Sequence, residues 1–109
     1  MKVPQNQYDE TVRFYRNVVG LKRIQTFEPD VVFKFGDKNL WIDKVATISQ
    51  AEIWLEIITD DIAAAAKRLK NENVVRCDEI EKLPEGFQGF WISSPAAIVH
   101  LVCQDTESR

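Results

Sequence analysis

The sequence has little cysteine, histidine or glycine, and each shortage closes a class of chemistry. Two cysteines in 109 residues cannot staple a disulfide scaffold, and Cys77 and Cys103 read as two buried thiols in a reducing compartment. A single histidine, His100, excludes a His-rich zinc or iron site unless a second subunit adds ligands. With only four glycines there is no Gly-rich phosphate loop, and Cys-x-x-Cys, His-Glu-x-x-His and the nucleophile elbow are also missing. No apolar run approaches the roughly 18–20 residues of a membrane span, and the opening Met1-Lys2-Val3-Pro4-Gln5-Asn6 does not read as a secretory signal. The sequence therefore predicts a cytoplasmic protein with no membrane partner. Fourteen basic residues stand against seventeen acidic ones. The basic residues are scattered, which argues against a nucleic-acid partner, since a phosphate footprint needs concentrated Lys and Arg.

What is present fits one ordinary globular domain over 1–109. Apolar residues make up 45% of the chain and charged residues 28%, and a chain of this length buries roughly two thirds of its unfolded surface. Residues 9–19 predict a helix, with Val12, Tyr15, Val18 and Val19 at helical spacing, Asn6 as N-cap and Gly20 as the left-handed stop. Strands follow at 22–27, 31–35 and 39–45, separated by Glu28-Pro29-Asp30 and Gly36-Asp37-Lys38. The second half begins with an alternating strand at 51–59 and a helix at 61–70, capped by Asp60 and striped by Ile62, Ala65, Ala66 and Leu69. Strands at 74–77, 89–93 and 98–103 complete it, and the tail 104–109 reads as frayed. The order predicts an α+β fold of two βαβββ modules, about 1–46 and about 51–104, with mostly antiparallel sheets and a first strand that is short or missing.

Three segments of this chain resemble the vicinal oxygen chelate superfamily, which includes glyoxalase I, bleomycin-resistance proteins and ring-cleaving dioxygenases. Tyr8-Asp9-Glu10-Thr11-Val12-Arg13-Phe14-Tyr15-Arg16-Asn17-Val18-Val19-Gly20-Leu21 is similar to its first helix and helix stop. Glu56-Ile57-Ile58-Thr59-Asp60-Asp61-Ile62-Ala63-Ala64-Ala65 is similar to its strand-into-helix segment. Phe90-Trp91-Ile92-Ser93-Ser94-Pro95-Ala96-Ala97-Ile98 is similar to the turn before its last strand, without that turn's acid and glycine. The resemblance implies paired modules whose curved sheets enclose a cavity, often completed by a dimer partner. It also implies metal ligands on the first, fourth, fifth and eighth strands. The first ligand would lie upstream of Lys2. The fourth-strand ligand falls on Asp43, the fifth on Trp54, which binds no metal, and the eighth near His100 if one residue is removed from the preceding turn. At most Asp43 and His100 survive as metal candidates, so the expected cofactor is none, with a divalent metal as the alternative.

Alternation gives the cavity a lining independently of any family. Asn39, Trp41 and Asp43 oppose Leu40 and Ile42. Glu52, Trp54 and Glu56 oppose Ile53, Leu55 and Ile57. In the last strand His100 and Val102 oppose Leu101 and Cys103, and the cavity row is taken as the one with His100. The predicted ligand-binding set is thus Trp41, Asp43, Glu52, Trp54, Glu56 and His100. Two indoles with three carboxylates suit a flat or cationic ligand. Sheet packing alone also accounts for the tryptophans, and solvation for the acids. Three readings compete: a metal-free binding protein of the bleomycin-resistance type, a metal-dependent lyase, isomerase or dioxygenase using Asp43, His100 and Glu56, and a structural subunit with no ligand. A stubby first strand leaves a sheet edge that a homodimer partner would cover.

Overall fold

The computed structural model describes residues 1–106, and its chain divides into two compact units, Met1–Ile53 and Trp54–Arg109. In the first, β1 (Lys2–Pro4) runs parallel to β3 (Lys38–Val45), which pairs antiparallel with β2 (Val31–Phe35), giving the order β1-β3-β2. In the second, β4 (Leu55–Thr59) runs parallel to β7 (Val99–Gln104), followed by β6 (Gly89–Ser93) and β5 (Val75–Arg76), both antiparallel, in the order β4-β7-β6-β5. The units repeat one topology, and three of the five described strand pairings are antiparallel. The first strand exists but is three residues long.

The predicted strand at 22–27 is reduced to a single bridge, Arg23 to Phe33, and a 3₁₀ turn at Gln25–Phe27. That position corresponds to β5 of the second unit. The reason is local: Glu28, Pro29 and Asp30 turn the chain away, and Arg23 Nη2 donates to the carbonyls of Pro29 and Asp30 instead of lying along a strand. The strand expected at 51–59 likewise starts later, at Leu55. The tail is ordered further than expected, since Gln104 ends β7 and the Asp105 amide donates to the Thr59 carbonyl at 2.6 Å. Residues 107–109 of that predicted tail lie outside the described residues.

Each unit packs one helix on one sheet face. Helix α1 (Tyr8–Arg13) lays Tyr8 and Val12 on Val3, Phe33 and Ile42, and Tyr15 just beyond its end packs on the same cluster. It then widens into a π-helical turn, Phe14–Val18, in which the Val19 amide donates to the Phe14 carbonyl at 2.9 Å. The larger turn rotates Val18 and Val19 off the predicted stripe, and both are exposed. Gly20 takes φ +82°, the left-handed stop the sequence predicts. Asn6 does not cap this helix, because a 3₁₀ turn at Gln5–Gln7 precedes it and Gln7 occupies the cap. Helix α2 (Ile62–Asn71) covers Phe90, Ile92 and Val102 with Ile62, Ala65, Ala66 and Leu69, the predicted stripe. Its cap is Asp61, not Asp60: the Thr59 hydroxyl accepts the Asp61 amide, and Asp61 Oδ1 then accepts from the Ala64 amide at 3.0 Å.

Candidate functional site

The two sheets each have a second face, turned away from their own helix, and all of the candidate residues except His100 sort onto these faces. In the first unit Ile42 faces α1, so Trp41 and Asp43 point the other way, as alternation predicts. Trp41 packs against Phe27 with ring centroids 4.9 Å apart and pairs across the sheet with Val32, which is fully buried. Asp43 is paired in register with Lys2, whose ammonium lies 3.0 Å from Oδ2. Lys2 in turn exchanges both backbone hydrogen bonds with Glu52, at 2.8 and 2.9 Å, so a directly opposed pair places Glu52 across from it. Glu52, Lys2 and Asp43 thus form one acid-base-acid row. Asp43 and Glu52 flank a lysine that the sequence reading did not include, and Trp41 lies two residues from Asp43 on the same face of β3. Lys2 is visible in the sequence only as the stub of a first strand, which hid its role.

In the second unit the parity of β7 is the reverse of the sequence expectation. Val102 belongs to the α2-facing core, and Gln104 Oε1 accepts the Ile62 amide at the start of that helix. His100, two and four residues away on the same strand, therefore shares the helix side, flanked in register by Leu55 and Ile92. The other face carries Val99, Leu101 and Cys103. The helix-side row mixes the polar His100 and Gln104 with Val102 while the other row is apolar, so polarity does not mark the face that packs on the helix. His100 is thereby removed from the candidate ligand-binding set. Its Nδ1 lies 3.0 Å from the Ile98 carbonyl, an oxygen that only accepts, so this nitrogen bears the hydrogen.

Glu56 stays on the non-helix face, where it accepts a hydrogen bond from the Cys103 thiol at 3.0 Å. Trp54 joins it there, meeting Trp91 edge to face with centroids 5.3 Å apart and planes at 74°. Trp91 is only 5% exposed. Its indole N–H donates to the Glu81 carbonyl at 2.8 Å and its backbone N–H to Asp78 Oδ1 at 2.9 Å. The adjacent Arg76 donates to both carboxylate oxygens of Asp78 and holds that carboxyl below its ordinary range. Both cysteines are free thiols, Cys103 buried and Cys77 half-buried; burial raises the Cys77 thiol above its usual value. Trp91 and Cys103 are the functional-face residues that sequence reasoning did not assign to the site. A shallow depression of about 370 Å³ lies in the first unit along Thr47, Ile48, Ser49, Gln50, Ala51 and Glu52. Of the candidate residues it touches only Glu52.

Asp43 is engaged by an ammonium, Trp54 has no lone pair to give, and His100 faces its own unit's helix side. Among the described residues no three His, Cys, Asp or Glu side chains converge. No described helix is long and apolar enough to cross a membrane.

Comparison with protein-family models and with curated proteins gives no match. Solved structures do match. A glyoxalase/bleomycin resistance protein/dioxygenase superfamily member from Vibrio splendidus aligns with a TM-score of 0.64 at 13% identity, covering 95% of this chain and 95% of that one. A member of the same superfamily from Sphaerobacter thermophilus aligns at 17% identity over 96% and 94% of the two chains, with a TM-score of 0.40. An antibiotic-binding protein from a Streptomyces species aligns at 17% identity over 97% and 93%, with a TM-score of 0.39. Two α+β units of repeated topology define the class. This chain has the fold of the glyoxalase/bleomycin-resistance/dioxygenase superfamily, as its three sequence segments imply.

Proposed function

We propose that the chain is a metal-free small-molecule-binding protein of the glyoxalase/bleomycin-resistance type, and that an aromatic or cationic ligand lies against Trp54 beside Glu56. The observation that carries this reading is the Trp54/Trp91 pair: a half-buried indole held edge-on by a buried one, next to a carboxylate. An indole face attracts cations and flat rings, and an adjacent acid favours the cation. In the first unit the Trp41 face is less suited, because Asp43 is already matched by Lys2. The working form is read as a cytoplasmic homodimer. The reduced cysteines support the compartment. Leu55 and Ile58, about half exposed on the outer strand β4, support a partner.

The test titrates the protein with a planar aromatic cation, its uncharged isostere and an aliphatic ammonium, following tryptophan emission. The aromatic cation should saturate, Trp54→Phe and Glu56→Gln should each weaken it about tenfold, equivalent to about 1.4 kcal/mol, and His100→Ala should leave it unchanged. No binding by any of the three probes, or equal affinity in Trp54→Phe, would refute the reading. Saturable binding of Zn²⁺, Ni²⁺, Mn²⁺ or Fe²⁺ that disappears in His100→Ala would instead favour a metal-dependent lyase, isomerase or dioxygenase. Light scattering at micromolar concentration tests the dimer.

A further inference from the structure

The last ladder of the second sheet is completed by a side chain. β5 pairs with β6 for only two residues, Val75 with Ser93 and Arg76 with Ile92. The next antiparallel pair would be Cys77 with Trp91, and half of it forms: the Cys77 amide donates to the Trp91 carbonyl at 3.0 Å. The other half does not, because the Cys77 carbonyl is taken by the Ile80 amide as the chain enters a 3₁₀ turn at Asp78–Ile80. The Trp91 N–H is buried with its residue and needs an acceptor. Asp78 Oδ1 supplies it at 2.9 Å, in place of the missing strand carbonyl.

The same short segment secures the ring. Glu81, three residues on, accepts the Trp91 indole N–H. Asp78 is itself fixed by Arg76, through Nε at 3.0 Å and Nη2 at 2.6 Å to Oδ2, and the Arg76 guanidinium lies 4.3 Å over the Phe90 ring. A chain of contacts therefore runs from Phe90 through Arg76 and Asp78 to Trp91, and from Trp91 to Trp54.

We propose that Asp78 is a positioning residue for the Trp54 surface: by holding Trp91 at its backbone N–H and anchoring the segment that holds its indole, it sets the angle at which Trp54 meets a ligand. This rests on the reading of Trp54 as the ligand surface. Asp78 need not touch the ligand, and its contribution is preorganisation, which lowers the ordering cost of binding.

Two indoles at this separation and angle couple excitonically, and the resulting far-ultraviolet circular-dichroism couplet reports their mutual orientation without any ligand. Trp54→Phe should abolish the couplet and so assign it. Asp78→Ala should shrink the couplet and weaken the planar aromatic cation about fivefold. Asp78→Asn keeps an amide oxygen for the Trp91 N–H and should restore most of both, although it forfeits the charge on Arg76. An unchanged couplet in Asp78→Ala overturns the proposal, and so does an Asp78→Asn protein as impaired as Asp78→Ala. If no aromatic cation binds the parent protein, the functional reading fails while the couplet still decides the role of Asp78.

Discussion

The pairing of Lys2 with Asp43 turns a candidate cation site into a closed ion pair, and it makes a quantitative demand. The Lys2 side chain is 11% exposed and that of Asp43 37%, with 3.0 Å between charges. An exposed pair is worth about 0.2–1 kcal/mol, and a hydrogen bond to a charged group in a drier setting about 1.5–3 kcal/mol. Half-exposure of the acid places this pair between them, at about 1–2 kcal/mol of coupling. Lys2→Met and Asp43→Leu should each cost about 1–2 kcal/mol. The double variant, two apolar side chains on one strand pair, should recover most of the loss. Urea denaturation at neutral pH of the four proteins gives the coupling directly. Coupling below about 0.3 kcal/mol, the ordinary scatter of additive sites, would refute the pairing.

Two further outcomes follow from local geometry. Ala97 sits at φ +61° in the turn before β7, where its amide donates to the Ser94 carbonyl at 2.8 Å. An L-residue there costs about 1–2 kcal/mol and glycine returns part of that as chain entropy, so Ala97→Gly should stabilise by up to about 1 kcal/mol in urea denaturation; a loss of stability would refute the left-handed turn. Asp78 has a folded-state carboxyl held below its unfolded value, chiefly by the Arg76 hydrogen bond and also by the Trp91 N–H. Its contribution is therefore present above the unfolded carboxylate range and lost as pH falls through the lowered folded value. The stability gap between the parent and Asp78→Asn should accordingly close in acid, and a gap unchanged from neutral pH to strong acid would remove Asp78 from the acid transition.

The sequence was most legible where one face of an element was apolar and the other polar. Helix α2 shows this: its stripe of Ile62, Ala65, Ala66 and Leu69 is the stripe that packs. Strands 31–35 and 89–93 were readable because each is bounded by a turn on both sides. Legibility failed where a local hydrogen bond overruled a periodic pattern. The π-helical turn moved Val18 and Val19 outward, the Thr59 hydroxyl shifted the α2 cap by one residue, and Arg23 traded a strand for a turn. The site failed at one point for a different reason. β7 carries its polar side chains, His100 and Gln104, in the same row as the core residue Val102, so only the position of Val102 under α2 decides which face His100 joins, and that is a tertiary fact.

The repeated topology makes the difference between the two faces informative. In both units a short outer strand runs parallel to the last strand, yet the partners across that pairing differ in kind. In the first it is Lys2 beside Asp43, extended to Glu52 by the backbone bridge; in the second it is Glu56 beside Leu101, with Cys103 donating to the acid. The first face sets one base between two acids. The second sets Glu56 beside Leu101 in register, with the buried Cys103 thiol donating to it and the Trp54/Trp91 pair on the same face. A cation approaching the first face must compete with an ammonium already 3.0 Å from the acid. On the second it finds a carboxylate on the same face as two aromatic rings, which add cation–π attraction. One fold used twice thus presents an acid-base-acid row and an aromatic-acid surface. Binding should therefore be read first from Trp54, Glu56 and Trp91, with Trp41 serving as the internal control that reports its own unit.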